Sequence, residues 1–167
     1  AIGATPTELK VTTPTAVPDN AVLPATINLV FEGNGKFTVA AGQNLTIGKM
    51  ADPGNKQVLV QADPTANIVF GPGAVNKINI AWFVDLGSDC TNAMNLAVAS
   101  CDANGGGTIL LPEGSWSTDG DHQVCANLVI EGTGDTVLGA NGTADGIFVH
   151  GANIYGVKVK DITLNGD

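Results

Sequence analysis

The 167-residue sequence predicts an all-β protein that is interrupted by a single helix. Short apolar runs recur along the chain, and most are bounded by Gly, Pro, Asn or Asp, the residues that tight turns require. Apolar residues follow a helical period in one place, over residues 91–102. The 22 glycines and eight prolines supply the turns that many short strands need.

The N-terminal part of the chain divides into two regions. Residues 1–24 are rich in Thr, Pro and Ala without a sustained period, which predicts a linker or an arm that packs on something else. Residues 25–83 are predicted to form a small β-strand module. Within it, Glu32–Gly35 is a strong signal for a hairpin or a corner. The predicted strands are residues 27–31, 36–39, 44–47, 57–61, 67–70 and 77–83.

The helix over residues 91–102 is predicted from apolar residues at positions i, i+3, i+4 and i+7, namely Met94, Ala97, Val98 and Cys101. Asp89, Thr91 or Asn92 can cap its first turn. The glycines after Asn104 end the helix, because glycine accepts the left-handed conformation that follows a helix.

Strands are predicted to resume after the helix and to continue to the last residues. In the final strand the apolar alternation changes phase at Asp161, which predicts a bend or a bulge there. The predicted strands are residues 108–111, 127–130, 136–138, 146–150 and 157–164.

A faint internal repeat bears on how these strands are arranged. The triplets Ala126–Leu128 and Ala152–Ile154 are similar, and Ile109 and Val129 occur in similar strand contexts. Their spacings of 26 and 20 suit the rungs of a parallel β-helix, in which each inward residue stacks on its counterpart in the next rung. A sandwich of short antiparallel strands would have similar turns, so both arrangements stay open at this point.

Composition and charge exclude several classes of function. The chain has seven lysines, no arginine and 16 acids, for a net charge of −9, which argues against nucleic-acid binding. No apolar run approaches the ~18 residues of a membrane span, and no signal peptide is visible. Because the first residue is Ala1, we expect a processed chain or a piece of a longer one. Cys90, Cys101 and Cys125 are predicted to be buried free thiols, with a disulfide between Cys125 and either of the other two as the weaker alternative.

From residue 81 onward the chain carries a series of motifs around the predicted helix: Trp82–Phe83, Gly87–Asp89, the helix, Gly105–Gly114, Asn127–Gly132 and Val157–Gly166. In this order they resemble the pectate-lyase-like right-handed parallel β-helix proteins found in phage tailspikes and related polysaccharide-processing enzymes. The order of one helix, a glycine run, an apolar strand and a Pro-x-Gly turn is typical of that family. The strand module upstream is similar to one that precedes the Trp-Phe pair in many tail-associated members.

The resemblance implies that residues 84–167 form a capping helix and the first rungs of a right-handed parallel β-helix. It implies a virion structural protein, the N-terminal part of a homotrimeric tailspike or tail fibre in the virion tail. Residues 1–80 would then contact other tail proteins, and host surface polysaccharide would be recognised further along. Two alternatives stay open: an extracellular polysaccharide lyase or glycoside hydrolase, and a structural surface fibre or adhesin.

Two features depart from the family pattern. The helix starts with Thr91–Met94, where the family has a pair of carboxylates, so a role of that pair in ion binding or capping does not carry over. The sequence also stops at Asp167, directly after a predicted rung strand, where an uncapped stack edge would be exposed. We therefore expect further rungs after Asp167, or a partner chain that covers this end.

Asp119, Asp121 and His122 form the densest polar cluster of the sequence. Two carboxylates at i and i+2 can hold a hard cation, so Asp119 and Asp121 are the candidate metal ligands, with calcium as the cation. They could also begin an acid–base pair. Because Gly120 separates them, a solvated corner between strands is the stronger interpretation. No other cofactor is predicted.

Trp116 and Tyr155 are the candidate glycan-binding residues, because exposed aromatic rings stack on sugars. Core packing is the stronger interpretation in a chain with only five Phe, two Trp and one Tyr.

Catalytic residues are harder to single out. Hydrolysis of a glycosidic bond needs two carboxyl groups ~5–10 Å apart, and no spacing selects a pair from Glu113, Glu131, Asp135 and Asp145. A lyase for uronates needs cations, but Lys158 and Lys160 are the only lysines after Lys77 and alternate like a solvated strand face. We therefore predict no complete catalytic site within these 167 residues.

Overall fold

The computed structural model describes residues 7–85, 88–141, 147–149 and 154–165. These residues are mostly β-strand with one α-helix, as predicted. Contacts divide the chain into two compact units, Ala1–Asn76 and Lys77–Asp167. The division falls between the last two strands that we predicted for the N-terminal module, so the final one belongs to the second unit.

Eight strands form the first unit, and every pairing between them is parallel. They are β1 (Thr7–Val11), β2 (Pro14–Val17), β3 (Ala21–Leu23), β4 (Ile27–Phe31), β5 (Lys36–Val39), β6 (Asn44–Ile47), β7 (Leu59–Gln61) and β8 (Asn67–Phe70). They pair in three sets, in the orders β1-β4, β2-β5-β7 and β3-β6-β8.

Within each pair, the residues of one strand lie beside those of the other at a fixed offset in the sequence. Thr7 lies beside Ile27 and Ala21 lies beside Leu45. Side chains with the same orientation therefore meet in neighbouring strands. The turn at Glu32–Gly35 joins β4 to β5, which lie in different pairing sets, so it is a corner and not a hairpin.

Residues 7–23 differ from our expectation of a linker or arm. They form β1, β2 and β3, which pair with β4, β5 and β6 inside the first unit. The sequence analysis did not predict these strands because the segment is rich in Thr and Pro. Pro14, a residue that strands usually exclude, begins β2. Proline is tolerated there because β2 is an edge strand and Pro14 is its first residue.

The interior of the first unit is a set of apolar stacks. Leu45 lies beside Ile68 and Ile47 beside Phe70, and all four side chains are buried. The corners are as closely fitted: a Cβ atom on Gly35 would lie 1.8 Å from the Val11 carbonyl oxygen. Only glycine fits at that corner without a backbone shift.

The second unit contains nine strands and the helix among its described residues. They are β9 (Ile78–Asn79), α1 (Thr91–Ala103), β10 (Gly107–Leu111), β11 (Gly114–Thr118), β12 (His122–Gln123), β13 (Leu128–Gly132), β14 (Thr136–Ala140), β15 (Phe148–Val149), β16 (Lys158–Lys160) and β17 (Thr163–Asn165). A short 3-10 turn, Ile80–Trp82, follows β9. The strands pair in the orders β16-β13-β10-β9, β11-β14-β17 and β12-β15.

All described pairings in the second unit are parallel, which excludes the antiparallel sandwich for these strands. One apolar stack runs across four of them, through Ile78, Ile109, Ile130 and Val159. The predicted match of Ile109 with Val129 is wrong by one residue, because Ile109 lies beside Ile130. The alternation of inward and outward side chains requires this register, because a shift of one residue would place the inward Ile109 beside the less buried Val129. Residues 152 and 153 of the other predicted repeat lie outside the described residues.

Helix α1 begins and ends close to the predicted residues. The Asp89 carboxylate accepts hydrogen bonds from the Thr91 backbone N–H at 2.8 Å and from the Thr91 hydroxyl at 2.6 Å. The Cys90 backbone N–H donates to the Ser117 carbonyl of β11, which ties the helix start to that strand. At the other end Gly105 adopts a φ of 74°, as predicted for the residues after the helix.

Two further strand predictions have different outcomes. Asp161 separates β16 from β17 with a φ of 55°, which confirms the predicted bend. The strand predicted over residues 146–150 corresponds to β15; residue 147 lies just before it, and residues 146 and 150 lie outside the described ranges. None of the described helices is long and apolar enough to cross a bilayer.

Replacing Ile109 should destabilise the second unit. Ile109 is fully buried between Ile78 and Ile130, so Ile109→Ala should lower the free energy of unfolding by about 2–5 kcal/mol. Both tryptophans, Trp82 and Trp116, lie in this unit, so urea unfolding followed by tryptophan fluorescence reports on it. The matched control is Thr108→Ala, half-buried on the other face of β10. Equal losses for the two variants would contradict the stack.

Candidate functional site

A buried polar cluster lies where α1 meets β12. His122 is the centre of this cluster and is only 1% exposed. Its Nδ1 lies 2.8 Å from Oδ1 of Asn95 on α1, and its Nε2 lies 2.5 Å from Oγ1 of Thr118 on β11. The imidazole therefore links the helix to two strands.

The partners of the imidazole define its tautomer. Oδ1 of Asn95 can only accept, so Nδ1 of His122 carries the hydrogen and donates it. Nε2 is then the acceptor and receives the hydroxyl hydrogen of Thr118. The Thr118 oxygen in turn accepts the Gly120 backbone N–H at 3.2 Å. Every polar atom of the imidazole is thus satisfied.

The cluster continues toward the start of α1. The Thr91 hydroxyl donates to the Asp89 carboxylate, and its oxygen accepts the Asp119 backbone N–H at 2.8 Å. The Thr91 and Thr118 oxygens are 3.3 Å apart. No side-chain polar atom buried within the described residues lacks a hydrogen-bond partner. The network joins α1 to the corner between β11 and β12.

Burial lowers the pKa of His122 below its usual 6.5. The carboxylates of Asp121, Asp89 and Asp119 act in the opposite direction but do not outweigh it. The ring is therefore neutral at neutral pH, in agreement with the tautomer that its partners require.

A hydroxyl, an imidazole and an amide in this order have the composition of a nucleophile, its base and an orienting group. Here the nucleophile position is closed, because Thr118 has no exposed surface. No substrate can reach its oxygen in this conformation. The arrangement is a buried hydrogen-bond network, centred on His122, that holds α1 against the strands.

The candidate metal ligands, Asp119 and Asp121, both lie on the surface beside the His122 network. Asp121 adopts a φ of 55°, so the corner turns sharply between them. Two carboxylates are fewer than the six to eight oxygens that calcium takes. The described part of the chain contains no cluster of three His, Cys, Asp or Glu side chains that could hold a metal ion. A calcium role for Asp119 and Asp121 stays a prediction.

The two candidate glycan-binding aromatics are placed in opposite environments. Trp116 is 3% exposed, and its indole N–H donates to the Pro112 carbonyl at 2.9 Å. It belongs to the core, so the expectation that Trp116 stacks on sugar is wrong for this conformation. Tyr155 is 70% exposed and keeps its ring accessible.

One of the candidate catalytic acids is held between two lysines. The Glu131 carboxylate lies 3.0 Å from Nζ of Lys77 and 3.2 Å from Nζ of Lys160. Hydrogen bonds from Lys77 and then Lys160 lower the pKa of Glu131, so it stays ionised rather than acting as a general acid. The sequence did not reveal this cluster because its three members are far apart in the chain: Lys77 precedes β9, Glu131 lies in β13 and Lys160 in β16. Asp145 lies outside the described residues.

A groove of about 730 Å³ opens beside the His122 network. The sequence analysis did not predict this groove. One wall is the exposed side of α1, and the other is β12 with the residues that follow. The described lining residues are Asn95, Val98, Ala99, Asp102, Asp121, Gln123, Val124, Cys125, Ala126 and Ile154.

The cysteines contribute apolar volume rather than reactivity. All three are buried and free, as predicted. Burial raises the pKa of Cys90 and of Cys101 to about 12. Burial, and then the Asp102 carboxylate, raise the pKa of Cys125. Because the thiolate is the nucleophilic form, these thiols are unreactive at neutral pH.

Comparisons of the chain with protein-family models, curated proteins and solved structures gave no match.

The stability of the second unit should fall as the pH drops below about 6.5. Between the lowered pKa of folded His122 and the usual 6.5, the unfolded chain binds a proton that the folded chain does not. Stability is therefore complete above 6.5, and up to ~1.4 kcal/mol is lost for each pH unit below it. Urea unfolding followed by tryptophan fluorescence between pH 5 and 7.5 measures this slope.

The variant His122→Gln should remove that slope above pH 5, where most carboxylates have yet to titrate. The matched control is Gln123→Ala, because Gln123 is the exposed neighbour of His122 on β12 and carries no titratable group, so its replacement should leave the slope unchanged. An undiminished slope in His122→Gln would show that His122 does not carry the effect.

Proposed function

We propose that the paired parallel strands wind as the start of a right-handed parallel β-helix, with α1 as the capping helix of the second unit. The observation that carries this proposal is the register. Strands of the same set lie beside each other at sequence offsets of about 20 to 30 residues in both units, a length typical of one structural repeat. Successive turns of one coil generate such offsets.

The function proposed for this coil is that of a virion structural protein, the N-terminal part of a phage tailspike or tail fibre. The chemistry of the described residues supports a structural role. Thr118 and His122 are sealed in the core, and Glu131 is held between two lysines. Glycosidic hydrolysis needs two free carboxyl groups across one cleft, and the ion pairs of Glu131 make this candidate acid unavailable for that role.

The partners follow from the resemblance to tail proteins. We propose a homotrimer in the virion tail, with other tail proteins bound through residues 1–80 and host surface polysaccharide as the outer ligand. Tyr155 is the described aromatic that is exposed enough to stack on a sugar ring.

A specific observation favours the structural surface fibre or adhesin as the second candidate. Val159 is 39% exposed and Leu164 is 47% exposed, although their neighbours in the stack, Ile130 and Leu138, are fully buried. Their strands, β16 and β17, are sheet edges. Exposed apolar edges favour strand pairing with another chain, which end to end would build a filament.

Light scattering coupled to intact mass spectrometry tests the proposal. The expected result is a particle of three chains of 16.9 kDa whose mass does not change with concentration. Val159→Lys combined with Leu164→Lys should leave that trimer intact, because side-by-side association does not use the edges. The control is Ala103→Lys, at an exposed position of α1 that belongs to no sheet edge.

A mass that grows with concentration, and stops growing in the double lysine variant, would favour the fibre. A monomer at every concentration would overturn the homotrimer and leave the tailspike proposal without support.

A further inference from the structure

The groove beside α1 combines an apolar floor with an acidic rim. The described floor residues are aliphatic or thiol side chains, with Val124 and Cys125 buried beneath the opening. The Cys125 thiol stays protonated and is equivalent to a small apolar group. A volume of about 730 Å³ is within the range of binding pockets that take a ligand of several connected groups. The floor therefore suits an aliphatic body.

The rim carries charge of one sign. Asp102 lies on the α1 wall and Asp121 on the opposite wall, next to β12. The sequence has no lysine between Lys77 and Lys158, and no arginine at all. The described histidine beside the groove, His122, is neutral. Phosphates, sulfates and uronates would meet repulsion here, whereas cations would be attracted.

Two amide side chains complete the lining. Asn95 and Gln123 can each donate and accept hydrogen bonds. An extended polypeptide needs such partners for its backbone, and a simple alkylamine does not. Because the carboxylates stand on opposite walls, they match two cations separated by an apolar group better than a single cation.

We propose that this groove binds a segment of a partner protein in which lysine or arginine side chains alternate with aliphatic ones. The aliphatic side chains pack on the floor, and the cations pair with Asp102 and Asp121. This binding function is independent of the proposed role in a phage tail.

The test uses a synthetic peptide of defined chemistry and the full 167-residue chain. The probe is acetyl-Gly-Leu-Lys-Leu-Lys-Gly-amide, and the matched peptide has both lysines replaced by glutamate. Amide resonances of the ¹⁵N-labelled protein are followed during titration. The lysine peptide should shift resonances of α1 and residues 121–126, and higher salt should weaken its binding. The glutamate peptide should shift none of them.

Variants locate the binding. Ala99→Trp fills the groove from an exposed helix position and should weaken binding at least tenfold. Ala103→Trp, exposed on the same helix outside the groove, should not. Asp102→Asn and Asp121→Asn should each weaken binding about threefold, as expected of solvent-exposed ion pairs. The charge-matched control Asp135→Asn, on an exposed loop, should leave it unchanged.

Three results would overturn the proposal. They are equal binding of the two peptides, resonance shifts that leave out the groove residues, and unchanged affinity in Ala99→Trp. Shifts of the groove residues by a neutral or anionic oligosaccharide, with none by the lysine peptide, would assign the groove to sugar instead. The wild-type titration decides between the two peptides even if a variant fails to fold.

Discussion

In-register stacking of parallel strands is the constraint on which the rest of this structure depends. Each inward side chain lies on a counterpart about 20 to 30 residues away in the sequence, as Ile109 lies on Ile130 and Leu45 on Ile68. Burial of these side chains removes apolar surface from water and supplies most of the stabilisation. A misplaced insertion of one residue would turn a strand's apolar side chains outward, so the corners must keep their lengths.

Polar side chains and glycine hold the corners between strands at a fixed length. Asn20, Asn44 and Asn67 occupy equivalent positions at the starts of three paired strands, and each hydrogen-bonds to the next at 2.8 to 3.3 Å. In the second unit the helix adds a different problem, because its inner side must be fastened to strands. The network around His122 does so with neutral hydrogen bonds, which avoid the cost of a buried charge.

The sequence was most informative where apolar alternation was strict. Strands β4, β5, β6 and β8 were predicted with the bounds that the structure has, because their apolar residues and turn residues agree. Strands β1 to β3, β11 and β12 were missed, because they are very short or their apolar alternation is interrupted by polar residues, while backbone pairing still forms the ladder. The alternation in β11 places Trp116 inward, in agreement with the core packing that the small number of aromatic residues favoured.

The candidate site was less predictable than the fold, for a physical reason. His122 meets Asn95, 27 residues earlier, and Glu131 meets Lys77, 54 residues earlier. Such contacts depend on which strands lie side by side, and a register error of one residue removes them. The groove depends in the same way on how α1 lies against β12, which no local pattern encodes.

Methyl NOE spectroscopy on protein labelled at the isoleucine δ1 methyl groups tests the stacking most directly. Parallel stacking at this register predicts cross-peaks from Ile78 to Ile109 and from Ile109 to Ile130. It also predicts a cross-peak from Ile130 to Val159 when valine methyl groups are labelled as well. Cross-peaks that pair these residues in an antiparallel order, or that link none of them, would contradict the account.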